Sequence, residues 1–161
     1  MSFQLKNKKA RIVSVVPVAE VHGNSREVAC EIKLETSVSN DFLDKIGPSL
    51  KSFLYVKDKS AIDLISQDDP DHKTHLRYPE MVQPIKWDMK CEVDLTIGPD
   101  PNPMKITTAE LGSLRVEAIE GGMVGLTFLI RGYPEEAQFG ALCKLTGCEV
   151  PISIAKAKVL L

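Results

Sequence analysis

Leu114-Arg115-Val116-Glu117-Ala118-Ile119, then Glu120-Gly121-Gly122, then Met123-Val124-Gly125-Leu126-Thr127-Phe128-Leu129-Ile130 is the stretch whose reading decides the fold. Leu114, Val116 and Ala118 alternate onto one face, the period of a half-buried strand. Paired glycines supply the positive φ angles of a tight hairpin turn. The returning run is rich in β-branched and aromatic residues and reads as a second strand. Downstream, Pro134, Glu135 and Glu136 open a helix, because the first turn tolerates proline and favours acids. Phe139, Leu142 and Leu145, with Ala141, form its apolar stripe; Lys144 and Gly147 close it. Val150, Ile152 and Ile154 then alternate as another strand.

Working outward, a fainter version of the same series runs from Ala10 to Val56. Residues 1–9 form a polar, basic lead-in, with a short strand at Ser2–Leu5. Ala10–Glu20 is a strand that Pro17 confines to an edge or a bulge, since proline cannot donate to a ladder. His22-Gly23-Asn24-Ser25 turns the chain into Glu27–Glu35, where Val28, Cys30, Ile32 and Leu34 share a face. Ser39 or Asn40 caps a short helix containing Phe42, Leu43 and Ile46, and Gly47-Pro48 ends it. Leu50–Val56 reads as a strand, and Lys57-Asp58-Lys59 as a turn into Ala61–Ile65. Ser66–Pro84 breaks the pattern as a long surface connector. Lys86–Ile97, with Trp87, Met89, Cys91, Val93, Leu95 and Ile97 alternating, is the cleanest strand, and Gly98–Pro103 is a rigid loop. Ala157–Leu161 closes as a short strand.

The expected fold class is therefore α+β: mostly antiparallel β-sheet with two short helices. Gly23 and Gly121 mark matching turns, and Asn40 and Pro134 matching helix starts. These matches predict a single domain, 1–161, built from two pseudo-repeats of a strand-turn-strand-helix-strand unit. The repeats span about 1–66 and 86–161 and are joined by an irregular connector, 67–85. Helices would cover one side of the sheets.

Composition narrows the function classes. A hydrophobic fraction of 43% beside 26% charged residues is that of an ordinary soluble globular domain. A formal net charge of -2 gives no global attraction to nucleic acid or an anionic membrane. No apolar run approaches the roughly 18 residues of a membrane span. Nothing at the N-terminus resembles a signal peptide, so a cytoplasmic protein with reduced, buried thiols at Cys30, Cys91, Cys143 and Cys148 is expected.

Chemical motifs fare poorly. Asp68-Asp69-Pro70-Asp71-His72-Lys73-Thr74-His75 offers metal-binding side chains, but reads better as a solvated acidic loop. The spacing of Cys143 and Cys148 gives one loose pair where structural zinc wants two. Gly121–Gly125 lacks the following helix and Gly-Lys-Ser/Thr of a phosphate loop. With no nucleophile elbow or zinc helix, the expectation is a non-catalytic protein with no cofactor, metal or catalytic residues. Arg77, Tyr78, Lys86, Trp87 and Lys90 are the best recognition cluster. Cations interleaved with rings can stack bases and hold phosphates, anchor a protein interface, or fasten the connector to the core.

Arg77-Tyr78-Pro79-Glu80-Met81 followed by Pro84-Ile85-Lys86-Trp87-Asp88 resembles a segment of uncharacterised small proteins encoded in phages and prophages. The likeness extends through the hairpin and helix to about Ile154. It implies a phage accessory protein in the host cytoplasm, modulating host machinery or defence through a protein partner, and supplies no activity. Architecturally, duplicated strand-helix-strand units with helices on one side resemble a DNA sliding-clamp domain, which implies an accessory factor of DNA replication or recombination. In that family the helices carry Lys and Arg towards DNA. Here Asp41, Asp44, Lys45, Glu135, Glu136 and Lys144 lean acidic instead. Edge positions for Lys86–Ile97 or Ala10–Glu20 would allow a homodimer.

Overall fold

The computed structural model describes residues 3–57 and 72–156, apart from the side chain of Met89. Among the described residues there are eight strands, three α-helices and one 3-10 turn: β1 Leu5–His22, β2 Ser25–Ser39, α1 Phe42–Ile46, α2 Leu50–Leu54, β3 Tyr55–Val56, β4 His75–Leu76, the 3-10 turn Pro79–Met81, β5 Ile85–Ile97, β6 Met104–Ile119, β7 Met123–Gly132, α3 Glu136–Lys144 and β8 Glu149–Lys156. Six strands close an antiparallel barrel in the order β1-β2-β7-β6-β5-β8, and β3 pairs with β4 in a separate two-stranded sheet. The chain is thus mostly sheet, as expected, but the sheet closes on itself.

Two compact units gather segments from distant parts of the sequence. One holds residues 3–36, 86–114 and 127–156; the other holds 37–57, 72–85 and 115–126. In the first, the strands bury one side chain in two. Ile32 and Leu34 of β2, Leu95 and Ile97 of β5, and Ile152 and Ile154 of β8 are each at most 2% exposed. Phe3 meets Phe128 edge to face with centroids 5.5 Å apart, the arrangement that ring quadrupoles favour. β1 pairs with β8 over Leu5–Arg11 and with β2 out to the turn, where His22 faces Ser25. The β1–β2 register shifts between Ile12 and Ser14, and Pro17 lies beyond the β8 ladder. The bulge does not fall at the proline: Pro17 keeps its register opposite Cys30, and no bond of the β8 ladder needs the N–H it lacks.

In the second unit the glycine turn forms as read. Gly121 and Gly122 adopt φ of 94° and 82° between β6 and β7. Gly121 N–H donates to Thr74 O, and Gly122 O accepts from Asn40 N–H, each at 3.0 Å. Around this turn pack α1, α2 and the β3–β4 pair, with Leu43, Tyr55, Leu76 and Val124 buried.

Several expectations change. Leu50–Val56 is not a strand: α2 takes Leu50–Leu54 and leaves only Tyr55–Val56 extended. Leu50, Phe53 and Leu54 stand at i, i+3 and i+4, so the helical period was present and the apolar run hid it. Ser49 enters α2 with φ 66°. Two short helices thus become three among the described residues. The N-cap of α1 is Asp41, not Ser39 or Asn40. Asn40 instead turns its amide to Lys73 O at 2.6 Å, and Ser39 Oγ donates to Asp41 at 3.1 Å. At α3, Pro134 precedes the cap; Glu135 is the N-cap in a capping box with Gln138, and Gly147 follows at φ 85°. The basic lead-in is already strand from Leu5. The connector is not irregular throughout, since it carries β4 and the turn at Pro79–Met81. Strand β5 lies between β6 and β8, and β1 between β2 and β8, so neither is a simple sheet edge. Cys30 is buried, but Cys143 and Cys148 are exposed, and all four thiols are free. Cys143 neighbours the buried Leu142 on α3 and so turns to the helix's open face. Residues 58–71 and 157–161, and with them the Ala61–Ile65 and Ala157–Leu161 strands and Asp68–Asp71, lie outside the described residues.

Candidate functional site

The segment from His72 to Ile85 is fastened residue by residue within its unit. Tyr55, fully buried, sends its hydroxyl between Ile119 and Met123: it accepts from Ile119 N–H at 2.9 Å and faces the Ile119 and Met123 carbonyls at 2.7 and 2.8 Å. Burial pushes the phenol's pKa up, which keeps it the donor these carbonyls need. Glu120 receives Leu76 N–H at 3.2 Å and His75 Nδ1 at 2.8 Å. Arg77 donates from Nε to Phe53 O and from Nη2 to Ser52 O, both at 3.1 Å, while its own N–H reaches Leu54 O at 2.9 Å. Those carbonyls are the orphaned acceptors at the end of α2, where a cation also suits the helix dipole.

This fastening holds open an apolar cleft of about 340 Å³. Its floor is Val116 and Ala118 of β6, and Leu43 and Leu54 close the helical side. Phe53, Tyr78 and Met81 form the rim at 66%, 57% and 76% exposure. The pairing of Tyr78 with Met81 is a consequence of the 3-10 turn, in which Met81 N–H bonds to Tyr78 O at 3.0 Å; residues three apart then eclipse on one side. Val82, Gln83 and Ile85 complete the wall.

Of the five recognition residues read from sequence, Tyr78 lies on this rim and Arg77 beside it, occupied with the end of α2. Lys86, Trp87 and Lys90 belong to β5 and to the other unit. Lys86 and Lys90 are exposed and Trp87 half-buried; Lys90 Nζ stands 3.9 Å from Glu110. Phe53 and Met81 were missed. The helical spacing at Leu50–Leu54 and the three-residue step from Tyr78 to Met81 were the signals available.

Charged groups elsewhere form paired networks. In the barrel unit, Glu20 of β1 accepts from the Tyr133 hydroxyl, His22 Nε2 at 3.2 Å and Arg131 Nη1 at 3.4 Å. Arg131 Nη2 reaches Glu31 of β2 at 3.1 Å. The Tyr133 hydroxyl foremost, then His22 and Arg131, hold the Glu20 carboxyl below the usual range. The same bond raises the Tyr133 phenol. Near α1, the buried Lys51 ammonium bonds to Asp41 and, with Ser39, lowers its carboxyl. Desolvation pushes the Cys30 thiol up to about 11, so it stays protonated and unreactive. Among the described residues no group of three His, Cys, Asp or Glu side chains could hold a metal ion, and no helix is long and apolar enough to cross a membrane. No protein family, curated protein or solved structure matches the chain.

Proposed function

We propose that this chain is a non-catalytic accessory protein of the phage type, working in the cytoplasm by binding another protein through the Phe53–Tyr78–Met81 cleft. The observation that carries the reading is that rim. Three large apolar side chains stand open around a cavity with apolar walls, although burying each would be worth about 1.5–3 kcal/mol. Aromatic rings around a well-formed pocket are the usual anchors of protein interfaces, and methionine adapts to irregular partners. The resemblance of the 77–88 segment to phage-encoded proteins supports the biological setting.

The test is capture from a lysate of host-like cells on the wild-type protein beside a Phe53→Ser/Tyr78→Ser/Met81→Ser variant. A partner retained by the wild type and lost by the variant, with retention little changed as salt rises, is the expected result. Identical captured sets would sink the proposal. Capture of DNA that weakens steeply with salt would favour the replication-factor reading instead, because phosphate contacts release counterions.

A further inference from the structure

We infer that the occupant of this cleft is an amphipathic helix of another protein, anchored by two large apolar side chains one helical turn apart. The inference rests on the protein-binding reading and specifies the partner's segment. Volume is the first reason. At about 340 Å³ the cleft sits at the small end of ligand cavities, roughly 300–1,000 Å³, and has room for one or two inserted side chains.

Area separates the next alternatives. An aromatic side chain buries about 150–250 Å² when fully covered. With Phe53 66%, Tyr78 57% and Met81 76% exposed, the rim offers on the order of 400 Å². Stable docking of two folded surfaces takes about 800 Å² per partner, so a second copy of this chain would need about as much area again from outside these three side chains. A short segment that places anchors in a pocket does not need that area.

Backbone chemistry then selects the conformation. β6, which supplies the floor, already has hydrogen-bonded neighbours on both edges. Pro79 and Pro84, flanking the rim, have no N–H to give. Among the lining side chains only Tyr78 and Gln83 carry polar atoms. An extended peptide would press unpaired N–H and C=O groups against an apolar wall. A helix satisfies them internally and offers only its apolar stripe, with anchors at i and i+3 or i+4. The same shortage of polar atoms disfavours a small ligand, which needs convergent polar groups to fix it.

Panning a displayed random-peptide library on the immobilised full chain tests this. Enriched peptides are then titrated by fluorescence anisotropy against wild type and a Phe53→Ser/Met81→Ser variant, whose fold is checked by circular dichroism. The expected peptides share two large apolar residues at helical spacing, gain helicity on binding, and bind the variant at least about tenfold more weakly, as loss of interface anchors does. Rim-dependent peptides with alternating spacing and no gain in helicity overturn the helix but leave the protein-binding reading standing. A panning that yields no rim-dependent peptide overturns the inference. If lysate capture is also indifferent to the rim, both readings fall. A wild-type dimer that Met81→Ser dissociates on sedimentation overturns the inference in favour of a second copy.

Discussion

At the scale of single residues, two positions near the glycine turn decide whether the cleft's supports hold. The Tyr55 hydroxyl is the partner of a buried N–H and of two carbonyls. Tyr55→Phe keeps the ring and orphans the Ile119 N–H, so it should cost about 1–3 kcal/mol in urea unfolding; an unchanged midpoint would show that water replaces the hydroxyl. Gly121 and Gly122 both hold positive φ, but a Cβ on Gly121 meets nothing within 4 Å, whereas one on Gly122 falls 2.8 Å from Thr74 Cγ2. Gly121→Ala therefore carries backbone strain alone, about 1 kcal/mol or a little more. Gly122→Ala should cost measurably more, and Thr74→Ala should recover part of the difference. Equal losses at the two glycines would remove the steric account. The pattern of glycines was legible in sequence; the approach of Thr74 was not, because it comes from a segment more than forty positions away.

At the scale of elements, the Glu20–Tyr133–Arg131–Glu31 network ties β1 and β2 to the end of β7. Glu20's folded-state pKa lies below its unfolded value, chiefly through Tyr133. Its contribution is therefore present above the unfolded value, about 4.3, and is lost as pH falls through the folded one. The Tyr133 phenol is raised, so its contribution is present below about pH 10 and is lost as pH rises through the folded value. Tyr133→Phe should flatten both flanks of the stability–pH curve, read as urea midpoints from acid to alkaline pH. Wild-type slopes retained in the variant would show that the network carries no linkage. None of these partners are neighbours in sequence: the alternation of Glu27–Glu35 placed Glu31 on the open face, but only the barrel brings Arg131 to it.

At the scale of the whole molecule, the contrast between buried and open apolar residues separates stability from recognition. Phe128 is 1% exposed and meets Phe3; Phe128→Ala should cost about 3–5 kcal/mol. Phe53 is 66% exposed, and Phe53→Ser should shift stability by no more than about 0.5 kcal/mol. Denaturant midpoints decide between the two, and a large loss at Phe53 would make the rim part of the core. The lack of a strong net charge gave no sign of this surface, since an apolar patch leaves no electrostatic signature.

By itself, the sequence determined the strands that alternate, the glycine turn at 121–122, and a helix that begins close to Pro134 and ends before Gly147. These are local properties, set by side-chain period, φ and capping within a few residues. Only the tertiary structure decided that the sheet closes into a barrel, that Leu50–Leu54 is helical, and that Arg77 caps α2 while Tyr78 joins Phe53 and Met81 around one cleft. Closure and clefts depend on which distant edges pair and which apolar faces find no cover, and neither is encoded in any one window of the chain.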